Sequence, residues 1–325
     1  MDKPLIWILN DVWKENDYEI ERLNNEGYEV AVTRLKDFDA DSKKYSGSAS
    51  VVMFQVGFIV DKALIDTLDN CKAIIALGMG YQNVDMEAAT NKGIHVTNIP
   101  DYCIEEVSDH TVAMMLHGMR RLSDYSAVVK SGSWDSFAVS GVKPIGRLTV
   151  GLLGFGRIAK RVAEKLKPFG ARIIAHDAFI PREIFEEYDV EPVSFKALMQ
   201  RSDHLSLHVP LTEDTKHIIN TGSLELMQDG AFIINTCRGG IIKEDDLVQA
   251  IESGKVGGAA LDVLEQEPPD FSSSLLNMEE VLITPHSAYY SDEALKNLRV
   301  KSCDKVVEAV ETGTIGTALN KDELK

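Results

Sequence analysis

The segment TVGLLGFGRIAKRVAEKLKPFGARIIAHD, residues 149–177, predicts a strand, a tight glycine turn, a helix and a second strand. Residues 150–153 form the short apolar run that is typical of a buried parallel strand. A G-x-G-x-x-A pattern follows, in which Gly154 allows the tight turn and Gly156 lets a pyrophosphate approach the backbone. Asp177 comes at close to the roughly 20-residue spacing of the acid that binds adenosine ribose hydroxyls. The segment therefore predicts a dinucleotide site, and the charge of Asp177 favours NAD over NADP.

Four further strands are predicted after this segment, at residues 202–209, 231–235, 257–263 and 281–284. With the two strands of the opening segment they make six, the number in a full dinucleotide-binding sheet. Arg238, Glu267 and His286 each follow the carboxyl end of a different strand. Because ligands bind at that edge of such sheets, we expect these three side chains to meet there.

These residue types suit hydride transfer between NADH and a 2-keto acid. An arginine such as Arg238 can grip a carboxylate or a carbonyl with two hydrogen bonds. His286 can donate a proton to the carbonyl oxygen, because imidazole titrates near neutral pH. A neighbouring carboxylate, Glu267, would favour the protonated imidazole. We therefore predict that these three residues are catalytic.

Residues 1–100 also alternate strands and helices, with strands predicted at 5–9, 28–33, 50–54, 73–76 and 95–97. Gly78, Met79 and Gly80 directly follow one strand, so their backbone N–H groups can form an anion-binding concavity at a sheet edge. The segment 98–100 looks like a hinge, and a helix of about 20 residues capped by Ser291 could return to this first sheet. We expect one domain from residues 1–100 plus 290–325, and a second from residues 101–289.

Composition limits the possible functions. The chain has 325 residues and a net charge of −17, which argues against binding to nucleic acid or to an anionic membrane. Its four cysteines show no metal-ligand spacing, so no metal site is expected, and free thiols indicate a reducing compartment such as the cytoplasm. Residues 104–122 predict one helix that is apolar almost all round, which is typical of a helix buried between domains or between subunits.

Six segments of the sequence resemble the D-isomer-specific 2-hydroxyacid dehydrogenases. They are GMGYQNVDMEAATNKGIHVTNIP (78–100), GLLGFGRIAKRVAEKLKPFG (151–170), HVPLTEDTKHIIN (208–220), INTCRGGIIKEDDL (234–247), ALDVLEQEPP (260–269) and TPHSAYYSDEAL (284–295). PDYCIEEVSDH (100–110) and HSAYYSDEA (286–294) also resemble the branch with the C-terminal-binding-protein corepressors, and HSAYYSDEA equally resembles D-lactate and D-2-hydroxyisocaproate dehydrogenases.

The resemblance implies an α/β fold of two doubly wound parallel-sheet domains, with a Rossmann-type cofactor domain inserted into a flavodoxin-like substrate domain. It implies a homodimer built around the helix at 104–122, and it assigns the catalytic roles to Arg238, Glu267 and His286. Asp262 takes the place of the acid that contacts the nicotinamide carboxamide. The cofactor contacts implied are Gly154, Gly156, Arg157, Ile158, Asp177, His208, Val209, Pro210, Thr215, Thr236, Cys237, Arg238, Asp262 and His286; the substrate contacts implied are Gly78, Met79, Gly80, Arg238, His286 and Tyr289.

The expected function is NAD-dependent hydride transfer between NADH and a small or hydrophobic, unphosphorylated 2-keto acid or D-2-hydroxy acid. The segment 54–58, expected to line the substrate pocket, has no Arg or Lys before Lys62 to pair with a phosphate. The alternatives are an NADH-sensing binding protein of the corepressor type, and an enzyme similar to phosphoglycerate dehydrogenase or to hydroxypyruvate and glyoxylate reductases.

Overall fold

The structure is a computed structural model that describes residues 3–324. It divides into two compact units, one formed by residues 3–103 together with residues 291–324, the other by Ile104–Tyr290. The change of unit falls three residues later than residue 100, where the sequence suggested a hinge. The reason is local, since Asp101 pairs with Lys301 at 2.7 Å and the Cys103 thiol lies 3.7 Å from the Met79 sulfur, all within the first unit.

Strands and helices alternate along most of the chain. The strands are β1 (Leu5–Leu9), β2 (Glu29–Thr33), β3 (Ala49–Phe54), β4 (Ala73–Ala76), β5 (His95–Thr97), β6 (Thr149–Leu153), β7 (Arg172–His176), β8 (Glu191–Pro192), β9 (His204–Leu207), β10 (Ala231–Asn235), β11 (Val256–Leu261) and β12 (Val281–Ile283). The helices are α1 (Asp17–Asn25), α2 (Phe38–Tyr45), α3 (Lys62–Asp66), α4 (Met86–Asn91), α5 (Ile104–Arg120), α6 (Leu122–Lys130), α7 (Arg157–Leu166), α8 (Arg182–Glu187), α9 (Phe195–Arg201), α10 (Thr221–Glu225), α11 (Glu244–Glu252) and α12 (Asp292–Thr312).

The first unit contains a five-stranded parallel sheet in the order β2-β1-β3-β4-β5. All five residues of β1 are buried, as expected for the central region of a parallel sheet covered on both faces. Helix α12 belongs to this unit: the Ser291 hydroxyl accepts a hydrogen bond from the Ala294 N–H at its start, and Gly313 ends it in the left-handed conformation. The parallel α/β class predicted for residues 1–100 is therefore confirmed.

The second unit contains a seven-stranded parallel sheet in the order β12-β11-β10-β9-β6-β7-β8. The prediction of six strands was wrong, because β8 has only two residues and leaves no periodic pattern in the sequence. The predicted strand at 202–209 is also shorter, since the Ser202 hydroxyl bonds the Leu198 carbonyl and belongs to the end of α9. The strand order reverses between β6 and β9, which is the place where such sheets open a ligand crevice.

The predicted helix at 104–122 is interrupted. Helix α5 ends at Arg120, and Arg121 adopts the left-handed conformation at φ 52° before α6 begins. The Arg121 guanidinium bonds the Asp124 carboxylate in the first turn of α6, which stabilises Arg121 at this break between the two helices. Val112, Met115 and Met119 of α5 are buried in the core of the second unit, whereas α6 has no buried residue.

Candidate active site

The glycine turn after β6 has the shape that the sequence predicted. Gly154 has φ +89°, and a Cβ there would lie 2.8 Å from the carbonyl carbon of His208, so only glycine fits without a shift. Gly156 precedes α7 without a side-chain cap, and a Cβ there would meet nothing within 4 Å. Open space therefore lies at the N-terminus of a ten-residue helix, where backbone N–H groups and the helix dipole suit a pyrophosphate. This turn fits a dinucleotide.

Asp177 lies just past β7 and is fixed by the backbone on both of its oxygens. Oδ2 accepts a hydrogen bond from the Phe155 N–H at 2.8 Å, and Oδ1 accepts one from the Phe179 N–H at 2.9 Å. The carboxylate thus braces the glycine turn while each oxygen retains a lone pair for a ribose hydroxyl. A concave surface beside it is lined by Ile180 and Val193, among others, and suits an adenosine group.

The other residues expected to contact the cofactor lie on three segments: Arg157 and Ile158 in the first turn of α7, His208, Val209, Pro210 and Thr215 after β9, and Thr236 and Cys237 after β10. Burial lowers the pKa of His208 to about 4, so this imidazole is neutral at pH 7. Burial raises the pKa of the Cys237 thiol to about 11, which keeps that thiol protonated. These segments all follow the carboxyl ends of their strands or the glycine turn, as a dinucleotide site requires.

His286 and Glu267 form a direct pair. His286 Nδ1 lies 2.6 Å from Glu267 Oε2, and the other Glu267 oxygen accepts the Leu264 N–H at 3.1 Å. Burial raises the pKa of the Glu267 carboxyl, but the hydrogen bond and charge of His286 outweigh it, so that this pKa lies below its usual value. Because Nδ1 is engaged by Glu267, Nε2 is the ring nitrogen available to a substrate.

Arg238 lies close to this pair. Its charge contributes to the lowered pKa of Glu267, and one guanidinium nitrogen donates to the Cys237 carbonyl at 2.6 Å. A Cβ on Gly239 would lie 1.9 Å from the Leu264 backbone, so the turn that carries Arg238 abuts the loop that carries Glu267. The structure thus brings the loops of the three predicted catalytic residues together at one edge of the seven-stranded sheet.

Asp262 is buried beside His286, and its carboxylate is held by the turn that follows β12. Oδ1 accepts the Ser287 N–H at 2.8 Å, and Oδ2 accepts the Ala288 N–H at 2.9 Å. The Thr284 hydroxyl donates to Oδ1, and His110 of α5 lies 3.1 Å from that hydroxyl. Sequence reasoning missed both Thr284 and His110, because no local motif joins residues so far apart in the chain.

The expected substrate contacts are divided between the two units. In the first unit, Gly78, Met79 and Gly80 follow β4, and their loop is fixed by the Ile99 N–H to the Gly78 carbonyl and by the Asn98 amide to the Met79 carbonyl. In the second unit, the Tyr289 ring lies edge-on to His286 with 6.4 Å between ring centroids. Gly78, Met79 and Gly80 thus lie at the carboxyl edge of the five-stranded sheet, where the sequence predicted them.

Two negative findings apply to the described part of the chain. Among residues 3–324 no cluster of three or more His, Cys, Asp or Glu side chains is arranged to hold a metal ion. Over the same residues, no helix has both the length and the apolar character needed to span a membrane.

A glycine turn of this kind, with an arginine and a His–Glu pair at the same sheet edge, defines an oxidoreductase that uses a nicotinamide cofactor. Residues 112–288 match the NAD binding domain of the D-isomer specific 2-hydroxyacid dehydrogenases. The chain belongs to that family, as its motifs predicted, and the expectation of NAD as cofactor is confirmed.

Relatives within the family carry different names. The chain is 40% identical to D-3-phosphoglycerate dehydrogenase of Methanocaldococcus jannaschii, over 76% of this chain and 47% of that protein, so it spans about half of that relative's length. It is 36% identical to hydroxypyruvate reductase of Thermotoga maritima, over 87% of this chain and 92% of that protein. The structure of D-lactate dehydrogenase from Aquifex aeolicus, complexed with NAD and lactic acid, matches with a TM-score of 0.84 and 31% identity, covering 95% and 96% of the two chains.

Proposed function

We propose that this protein transfers a hydride between NADH and a small or hydrophobic, unphosphorylated 2-keto acid, forming the D-2-hydroxy acid. The observation that carries the proposal is the His286–Glu267 pair, with 2.6 Å between Nδ1 and Oε2, at the sheet edge that also bears Arg238 and the glycine turn. The names of the relatives, which include a hydroxypyruvate reductase and a D-lactate dehydrogenase, support a 2-keto acid as substrate.

Each residue then has a distinct role. NADH, when bound, supplies the hydride. His286 holds a proton on Nε2 and donates it to the carbonyl oxygen, while Glu267 orients the ring through Nδ1 and favours its protonated form. Arg238 binds the substrate carboxylate or polarises its carbonyl. Asp262 keeps one lone pair of Oδ2 for the N–H of the nicotinamide carboxamide.

The composition and exposure of one segment of the first unit support a substrate without a phosphate. This segment, 54–61, contains no Arg or Lys, and Val56 and Ile59 expose 72% and 66% of their surface there. Lys62, the next cation, pairs with Asp66 at 2.7 Å. A buried phosphate dianion without a cation is strongly disfavoured, whereas exposed apolar side chains suit an alkyl or aryl group. Tyr289 beside His286 would add an aromatic wall.

The test measures, for each of a panel of 2-keto acids, the rate at which NADH absorbance is lost. We expect kcat/KM for pyruvate or phenylpyruvate to exceed that for 3-phosphohydroxypyruvate. A phosphorylated substrate preferred by about tenfold, or 1.4 kcal/mol, would contradict the assignment. Tight NADH binding without oxidation by any keto acid would instead favour the corepressor-type binding protein.

We also propose a homodimer in the cytoplasm, in which the first unit, predicted as residues 1–100 plus 290–325, forms the substrate domain, and the second unit, predicted as residues 101–289, forms the cofactor domain. Helix α6 has no buried residue, and Leu122, Val129, Trp134 and Phe137 on it and after it are all exposed, which suits an interface with a second copy. The free cysteines suit a reducing compartment. Light scattering on the purified protein tests the assembly, and a mass near the 35.9 kDa of one chain would contradict the dimer.

A further inference from the structure

His110 is a polar residue of α5 that the proposed chemistry leaves without a role. Its Nε2 lies 3.1 Å from the Thr284 hydroxyl and 3.7 Å from Asp262 Oδ1. Asp262 itself is buried, with 1% of its side chain exposed. A histidine of one helix and two residues from separate strand ends therefore form one continuous network within the second unit.

The direction of the hydrogen bonds in this network follows from the groups involved. An ionised carboxylate only accepts hydrogen bonds, so the single hydroxyl proton of Thr284 goes to Asp262 Oδ1, at 2.5 Å. The hydroxyl then has no proton left for His110, and the 3.1 Å contact requires that His110 Nε2 donates. The network is thus a directed chain of donors that runs from His110 through Thr284 to Asp262.

The same network limits what Asp262 can still accept. Oδ1 receives both the Thr284 hydroxyl and the Ser287 N–H, which fill its two lone pairs, and the Ser287 hydroxyl lies 3.5 Å from the same oxygen. Among residues 3–324, Oδ2 receives only the Ala288 N–H, and one lone pair remains. Since three donors from different directions fix the carboxylate plane, the direction of that remaining lone pair is fixed as well.

We propose that His110 is a positioning residue: through Thr284 it fixes the Asp262 carboxylate so that Oδ2 accepts the carboxamide N–H of the nicotinamide. This inference rests on the proposed function, in which Asp262 binds that carboxamide. Helix α5 is well suited to this role, because its next residue, Thr111, bonds the Thr236 hydroxyl at 2.8 Å and so ties the same helical turn to a second strand end. His110 therefore determines how tightly the nicotinamide half of the cofactor is bound, and it leaves the adenosine half unaffected.

The experiment measures binding by titration calorimetry with three ligands. NAD has the carboxamide, 3-acetylpyridine adenine dinucleotide replaces its NH2 with a methyl group, and ADP-ribose lacks the nicotinamide altogether. The variants are His110→Phe, which removes the donor but keeps a ring, and Thr284→Val, which removes the hydroxyl at similar size. His110→Gln restores an N–H donor, and His117→Gln is the matched control, because His117 of the same helix contacts Ser123 instead.

We expect wild type to bind NAD about tenfold more tightly than the acetylpyridine analogue, as one hydrogen bond to a carboxylate allows. His110→Phe and Thr284→Val should remove most of that difference and leave the affinity for ADP-ribose within about twofold. His110→Gln and His117→Gln should keep the wild-type ratio. Unchanged affinity for ADP-ribose also shows that a variant is folded.

Two results would overturn the inference and leave the proposed function in place. One is a wild-type ratio of NAD to analogue affinity that persists in both His110→Phe and Thr284→Val. The other is an equal loss for all three ligands, which would show general damage rather than a lost carboxamide contact. A wild-type protein that binds none of the three ligands would refute the proposed function itself.

Discussion

Replacing Glu267 with glutamine tests how the proton donor is prepared for reduction. The amide has nearly the same size as the carboxylate, and its oxygen can still accept a hydrogen bond from His286 Nδ1. The substitution therefore removes the charge and keeps the contact. Reduction needs the protonated imidazole, so the rate falls as the pH rises and the imidazole loses its proton. Without the facing carboxylate, the protonated form is less favoured, and we expect this fall at lower pH.

The size of the effect follows from the geometry. His286 Nδ1 and Glu267 Oε2 are 2.6 Å apart, and the side chains of His286 and Glu267 are 39% and 37% exposed. With the dielectric constant of bulk water, which gives the lower limit of the attraction, Coulomb's law yields about 1.6 kcal/mol at this separation. This lower limit corresponds to about one pH unit. The same attraction acts on the partner, and it is consistent with the lowered pKa of the Glu267 carboxyl.

The assay is the pH dependence of kcat/KM for keto-acid reduction, followed by NADH absorbance. Glu265→Gln is the matched control, because Glu265 lies on the same loop but its Oε1 is 2.5 Å from His217 Nε2 instead. We expect the falling limb to move by about one pH unit in Glu267→Gln and to stay in place in the control. An unmoved limb in Glu267→Gln, or an equal movement in both variants, would refute the coupling.

Three further predictions concern single side chains. His286→Ala should lower kcat roughly 10²–10⁴-fold while a fluorescence titration shows that NADH still binds, and a kcat within about threefold of wild type would contradict its role. Wild type should prefer NAD over NADP at least about tenfold in kcat/KM, and equal values for both cofactors would contradict this prediction. Asp177→Ala should narrow that preference, and it should also weaken the binding of NAD, because two backbone N–H groups lose their acceptor. The Lys243 ammonium and the Thr221 N–H lower the pKa of Asp246 to about 2. The ionised Asp246 carboxylate therefore stabilises the folded state fully above the ordinary Asp pKa, and this stabilisation is lost as the pH falls through about 2. Urea unfolding should therefore show Asp246→Asn less stable by about 1–2 kcal/mol at pH 7 and equal to wild type near pH 2, and a difference that persists at pH 2 would contradict the linkage.

The sequence predicted the parts of the fold and site that local patterns encode. The turn at Gly154 needs a positive φ next to a close backbone contact, and the motif records that need within a few residues. The meeting of Arg238, Glu267 and His286 at one edge was predicted in the same way, because each follows a short apolar strand and parallel strands bring their carboxyl ends to one edge. Local sequence patterns, together with the rule that parallel strands share a carboxyl edge, were enough to predict these features.

Other features depend on partners that sequence reasoning could not assign. The left-handed break at Arg121 is held by Asp124, and a helical pattern that continues through residue 122 conceals it. The two residues of β8 are too few to show any alternation. The contact between His110 and Thr284 joins residues that are 174 positions apart, and a histidine in a helix carries no sign of which strand end it will meet.

Asp262 both holds the turn that carries the proton donor His286 and makes the proposed contact with the nicotinamide. Its main-chain carbonyl accepts the His286 N–H at 2.7 Å, which helps to hold His286 in the left-handed conformation at φ 49°. Its carboxylate binds the N–H groups of Ser287 and Ala288, so the whole turn wraps around this one residue. A substitution that removes the Asp262 carboxylate takes the acceptors from the Ser287 and Ala288 N–H groups, so it changes the turn that carries His286 as well as the proposed nicotinamide contact. His110 contacts this network through its side chain, so a substitution of His110 tests the proposed carboxamide contact and leaves the backbone bonds of the His286 turn in place.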